Sequence, residues 1–160
     1  SWKAKQHGQE TRFIELAGEV NSAMPARVVD KVAAVLKHAG LAIDGARVLM
    51  IGIAYKSNVD DDRESPGYVL WQLLEDQGAV VAYHDPHVPV IRPSREHSHL
   101  AGRASLELSA ESVAAYDLVL VATYHESVDW EVIALHAARV VDTRNALAVR
   151  MQGLANYFKA

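Results

Sequence analysis

Val48-Leu49-Met50-Ile51 runs directly into Gly52-Ile53-Ala54-Tyr55-Lys56-Ser57-Asn58-Val59-Asp60-Asp61-Asp62-Arg63-Glu64-Ser65-Pro66. An unbroken apolar run of this length reads as a strand covered on both faces, since a half-wet strand alternates. Gly52 ends the run. Ser65 and Pro66 read as the N-cap and first-turn proline of a following helix. A buried strand, a polar loop and a helix form the repeating unit of a wound parallel sheet.

Further along the chain, apolar runs of strand length recur at Val80 to Tyr83, Leu118 to Ala122 and Val140 to Val141. Helix-like segments lie between them at Ser65 to Gln77, Ala110 to Ala115 and Val128 to Ala137, and 88–103 reads as loop. The alternation predicts an α/β fold, a Rossmann-like doubly wound parallel sheet over about 45–150. Residues 151–160 read as a C-terminal tail. Upstream, Thr11 to Ala39 shows apolar residues at three- and four-residue spacing, a helical arm within 1–40. Pro25 predicts a break or kink near Ala23 to Met24, and Gly40 a left-handed stop.

Composition narrows the function. The chain has 160 residues, half of them hydrophobic, and a net charge of -4 with both signs mixed. Nothing points to nucleic acid or an anionic membrane surface. There is no Cys, which excludes a thiol nucleophile, a disulfide or a Cys-based zinc site in this sequence. No apolar run approaches the roughly 20 residues that span a bilayer, and no signal-peptide core begins the sequence, so a cytoplasmic protein is expected. The eight His residues include no helical H-x-x-x-H pair, and no metal site is expected. No G-x-S-x-G elbow is present either.

In open parallel sheets, ligands bind outside the carboxyl ends of the strands. Here those ends are polar: 52–66, then Tyr83-His84-Asp85-Pro86, Thr123-Tyr124-His125 and Asp142-Thr143-Arg144-Asn145. Gly52 has no second or third glycine after it, so the dinucleotide fingerprint is missing. Lys56 and Arg63 can answer phosphate, or the loop is simply a solvated charged segment. Arg144 suits a bidentate anion contact, or a salt bridge to a neighbouring Asp. Asp85 and Asp142 read equally as ligand contacts or as caps that order their loops.

The segments G-I-A-Y-K-S-N-V-D-D-D-R-E-S-P, Y-H-D-P-H-V-P and V-V-D-T-R-N-A, in that order, resemble the C-terminal domain of the UDP-glucose/GDP-mannose dehydrogenases. Upstream, S-W-K-A-K, T-R-F-I-E-L-A-G-E-V-N and A-M-P resemble the family's central helical linker, and are most similar to its UDP-N-acetylglucosamine or UDP-N-acetylmannosamine 6-dehydrogenase branch. The resemblance implies an NAD-dependent enzyme that oxidises the sugar C6 alcohol to a carboxylate through a cysteine thioester. It also implies a separate N-terminal NAD-binding domain and a homodimer through the central helix. This sequence, without Cys, then reads as an excised C-terminal portion that is inactive alone. The alternative is a free-standing nucleotide-binding or oligomerisation module. The resemblance assigns Tyr55, Lys56 and Arg144 to the UDP-sugar and Arg63 to NAD, with no catalytic residue in this chain. Ser57, Asn58, Asp62 and Tyr124 depart from the family's usual residues and leave the sugar open.

Overall fold

The computed structural model describes residues 11–160. Five strands form one parallel sheet: β1 (Arg47–Ile51), β2 (Val80–His84), β3 (Leu118–Val121), β4 (Val140–Asp142) and β5 (Tyr157–Lys159), in the spatial order β2-β1-β3-β4-β5. Among the described residues, helix α1 (Arg12–His38) comes first. It is followed by α2 (Pro66–Asp76) between β1 and β2, α3 (Ala110–Ala114) between β2 and β3, and α4 (Trp130–His136) between β3 and β4.

Side-chain alternation divides the core into two layers. Val48, Met50, Leu118, Leu120 and Val141 face α1 and α2, meeting Val32, Leu36, Trp71 and Leu74. Leu49, Ile51, Val119, Val121 and Val140 face the other way, onto Val113, Trp130 and Ile133. Both faces of the central strands are therefore dry, which explains why their sequences are continuously apolar. The chain crosses from one face to the other between β1 and β3, and this switch point opens a crevice at the carboxyl edge.

The predicted helix starts and stops are found with small shifts. Ser65 caps α2 by accepting from the Gly67 N–H at 3.1 Å, with Pro66 in the first turn. Gly40, at φ +77°, ends α1. Its N–H donates to the Lys37 carbonyl and the Leu41 N–H to the Leu36 carbonyl, the bonding of a Schellman cap.

Two features differ from expectation. Helix α1 is not broken at Pro25; it runs unbroken from Arg12 to His38. The lost backbone donor is a local cost, whereas Val28, Val29, Val32, Val35 and Leu36 anchor the following turns in the core. The second is β5, inside the segment read as a tail. It pairs with β4 from Val140↔Tyr157 to Asp142↔Lys159.

Candidate functional site

A cleft of about 480 Å³ lies at the carboxyl edge of the sheet, on the α1/α2 side. One wall is α1, through Asn21, Met24, Pro25 and Val28; the opposite side carries Tyr55 and Glu64 of the 52–65 loop and Pro66 and Leu70 of α2. The strand ends supply Ala122, Thr143 and Arg144. Of the four residues singled out for ligand contact, Tyr55 and Arg144 share this cleft. Lys56 stands beside it, its Nζ 5.6 Å from the centre of the Tyr55 ring. Arg63 does not line the cleft. Its side chain is 85% exposed and forks onto Asp61, Nε to Oδ1 and Nη2 to Oδ2, each at 2.8 Å. That pair holds the Asp61 carboxyl at about 2 and raises the Arg63 guanidinium further above its already high value.

The sequence left open whether the strand-end aspartates touch ligand or order loops. Both order loops. Asp85 is buried and accepts the N–H groups of Ile53 (2.7 Å) and Ala54 (2.9 Å) on Oδ2, and those of His87 and Val88 on Oδ1. Burial pushes its carboxyl up. The donors, His125 first and then Ala54, Ile53 and His87, outweigh that and hold it at about 2. Asp142, also buried, accepts from the N–H groups of Arg144 and Leu147 and from the Tyr157 hydroxyl. Burial and that bond push the Tyr157 hydroxyl up to about 12. Asp142 therefore bends the β4 exit and leaves the Arg144 guanidinium unpaired. Among the described residues no carboxylate lies within ion-pair distance of it.

Of the loop residues that depart from the family's usual pattern, Asp62 turns inward and the exposed Asn58 is tied down by hydrogen bonds. Asp62 is buried and accepts from the Tyr68 hydroxyl at 2.6 Å. Burial first, then Asp62, pushes that hydroxyl well above the ordinary tyrosine range. Asn58, at φ +60°, donates its N–H to Nδ1 of His125 (2.9 Å) and accepts the Glu126 N–H on Oδ1 (2.9 Å). These two residues pin the loop rather than read a ligand; Ser57 stays exposed. Tyr124 stacks on Trp130 at 5.3 Å, within the second core layer. His125 was legible in the sequence only as one polar strand-end residue. Its completely buried ring and two-sided bonding depend on loops 40 and 67 residues away in sequence.

Gly52 serves the fold and not a cofactor. At φ +82° its Cα approaches β3 so closely that an added Cβ would overlap the Thr123 carbonyl oxygen and lie 2.6 Å from Thr123 Cβ. The space a dinucleotide diphosphate takes over a fingerprint glycine is filled here by the chain itself. No group of three or more His, Cys, Asp or Glu among the described residues can hold a metal ion. No helix among them is long and apolar enough to cross a membrane.

A doubly wound sheet with an aromatic ring and an arginine lining one cleft at its carboxyl edge is an α/β domain whose cleft lies where such sheets take ligands. The chain belongs to the UDP-glucose/GDP-mannose dehydrogenase family: residues 49–149 match that family's UDP binding domain. A UDP-N-acetyl-D-mannosamine dehydrogenase of Methanococcus maripaludis is 37% identical over 86 residues, 54% of this chain and 20% of that protein. A UDP-glucose 6-dehydrogenase of Haloferax volcanii is 30% identical over 154 residues, 94% of this chain and 34% of its own length. Among solved structures, a UDP-glucose dehydrogenase from Pyrobaculum islandicum superposes with a TM-score of 0.70 at 26% identity, covering 97% of this chain and 33% of that one. The chain thus spans between a fifth and about a third of the length of these relatives.

Proposed function

We propose that this chain is the nucleotide-sugar-binding portion of an NAD-dependent UDP-sugar 6-dehydrogenase, which oxidises the sugar C6 alcohol to a carboxylate for polysaccharide biosynthesis. The observation that carries the reading is the cleft shared by Tyr55 and Arg144 at the β1/β3 switch point. The Tyr55 ring, half exposed, offers a flat face to a base or sugar. The unpaired Arg144 fork suits a diphosphate, and Lys56 adds a second cation beside the ring. The sugar is read as an N-acetylated hexosamine, in line with the relatives named for UDP-N-acetyl-D-mannosamine.

The cofactor enters this reading only at one edge. With Gly52 closed by Thr123, the first strand turn has no cradle for a dinucleotide, and Arg63 is the residue assigned to NAD. Its exposure fits a ligand brought from outside this chain, provided the ligand's phosphate replaces Asp61 on the guanidinium. NAD, when bound, supplies the hydride acceptor of the oxidation. The sequence contains no Cys for a thioester step, so neither nucleophile nor main cofactor site is assigned here and the chain alone is taken to be inactive. The whole enzyme is placed in the cytoplasm.

A second reading, an oligomerisation module, is favoured by the first half of α1. Phe13, Ile14, Leu16 and Val20 are all exposed there, Phe13 by 90%. The two readings are compatible in a homodimer joined through α1. Turnover by the full-length protein that carries this chain tests the function. NAD reduction with a UDP-N-acetylhexosamine or UDP-glucose is expected, and absence of turnover with every UDP-sugar overturns it. Lys56→Ala there is expected to raise KM more than it lowers kcat, because a nucleotide contact acts alike in ground and transition states.

A further inference from the structure

The 52–65 loop carries Tyr55 into the cleft and Lys56 beside it, yet it has no helix or strand of its own. Its shape rests on pins. Upstream, Asp85 takes the N–H groups of Ile53 and Ala54, and the Thr123 hydroxyl donates to the Ala54 carbonyl at 2.8 Å. The Tyr55 N–H donates across the loop to the Asp61 carbonyl at 2.8 Å. Downstream, Asp62 and Ser65 tie the loop to α2. Between these lies the turn at Asn58, whose N–H meets Nδ1 of His125.

The His125 ring is completely buried, and its polarity is fixed from both sides. Because Nδ1 accepts from a backbone N–H, it carries no proton. A neutral ring then has its proton on Nε2, which donates to Asp85 Oδ2 at 3.1 Å. The Trp130 indole N–H holds the His125 carbonyl at 2.9 Å, and the His87 ring packs at 4.8 Å. One side chain of β3's exit thus links the carboxylate that gathers the start of the loop to the amide at its turn. An apolar ring of similar size would fill the space and leave both the Asn58 N–H and one Asp85 valence unmet.

We propose that His125 is a positioning residue. As the Nε2–H tautomer it spans from Asp85 to the Asn58 amide and sets the pose in which the loop offers Tyr55 and Lys56 to a uridine diphosphate sugar. The ligand class rests on the reading of the cleft given above; the positioning role does not.

The two ring nitrogens can be tested separately in the full chain. The amide nitrogen of Gln at this position reaches where Nε2 lies and keeps a donor for Asp85, but leaves nothing at Nδ1. The side-chain oxygen of Asn reaches where Nδ1 lies and keeps the acceptor for Asn58, but loses the donor. Imidazole nitrogen NMR of the unmodified chain should show a bare Nδ1 and a protonated Nε2. His125→Gln should shift the Tyr55, Lys56 and Asn58 amide resonances, and should speed Asn58 amide exchange and weaken UDP binding by about tenfold each, the scale of one lost ordered hydrogen bond. His125→Asn should restore Asn58 protection and UDP affinity toward the unmodified values, even though it melts earlier. An Nδ1–H tautomer overturns the proposal. So does a folded His125→Gln chain with unchanged loop resonances and Asn58 exchange, or an Asn variant no better than the Gln variant on both loop readouts. If the unmodified chain binds no UDP, the ligand reading fails, while the ligand-free resonances still decide the positioning role.

Discussion

Asp85 concentrates more of the site's order than any residue on the ligand side of the cleft. Five donors converge on its carboxylate: four backbone N–H groups and the ring of His125. The folded state lowers its pKa from an ordinary 3.8 to about 2. A carboxyl lowered on folding adds stability that is fully present above pH 3.8 and is lost as pH falls through about 2. The difference corresponds to about 2 kcal/mol. Urea unfolding midpoints should therefore fall as pH drops through that window, and Asp85→Asn should start lower and lose this part of the slope. An Asn variant that follows the unmodified chain through the same window would show that Asp85 is not the linked group. The residue types at the strand ends were legible in the sequence, but their direction was not. Asp62 and Asn58 stand in the same loop as Tyr55 and Lys56 with similar polarity. Asp62 turns inward onto the hydroxyl of Tyr68, six residues on, whereas the exposed Asn58 is tied through its N–H to His125, a partner that only the folded topology brings near.

Among the elements, α1 is divided in its environment though continuous in its backbone. From Val28 onward it packs against the sheet and α2; before Met24 its apolar residues face outward. The 3.6-residue period revealed the helix but could not tell which turns meet this domain, since both halves carry the same apolar spacing. Exposed residues as large as Phe13, Ile14 and Leu16 suit a face covered by a second copy. Sedimentation should find self-association of this chain that Phe13→Asp combined with Val20→Asp abolishes while the fold is kept. Equal mass for both proteins at all concentrations would place the dimer contact elsewhere or remove it. Strand β5 shows the opposite problem of legibility. Tyr157–Lys159 is too short for a period to register, and it is a strand only because β4 offers an open edge. The Val140 N–H reaching the Asn156 carbonyl and the Tyr157 hydroxyl reaching Asp142 fasten it there. None of these bonds is local in sequence.

At the scale of the molecule, the order β2-β1-β3-β4-β5 brings the exits of β1, β3 and β4 to one edge. The continuous apolar strands made that sheet readable in advance, because burial on both faces leaves little room for another pattern. The cleft itself was not readable. Its far wall is α1, whose docking against α2 and the sheet is a tertiary event, and Ala122 joins it from a strand end with no chemical signature of its own. What unites the edge is a division of labour: buried carboxylates and His125 hold the loops, while Tyr55, Lys56 and Arg144 remain available. The central claim is that the available set binds the nucleotide of a UDP-sugar. Calorimetric titration of the folded chain with UDP tests it most directly, with Arg144→Ala and Tyr55→Ala measured alongside. The expected result is weak but saturable binding that each substitution reduces by about tenfold or more. Absence of heat at millimolar UDP, or equal binding by all three proteins, would contradict it.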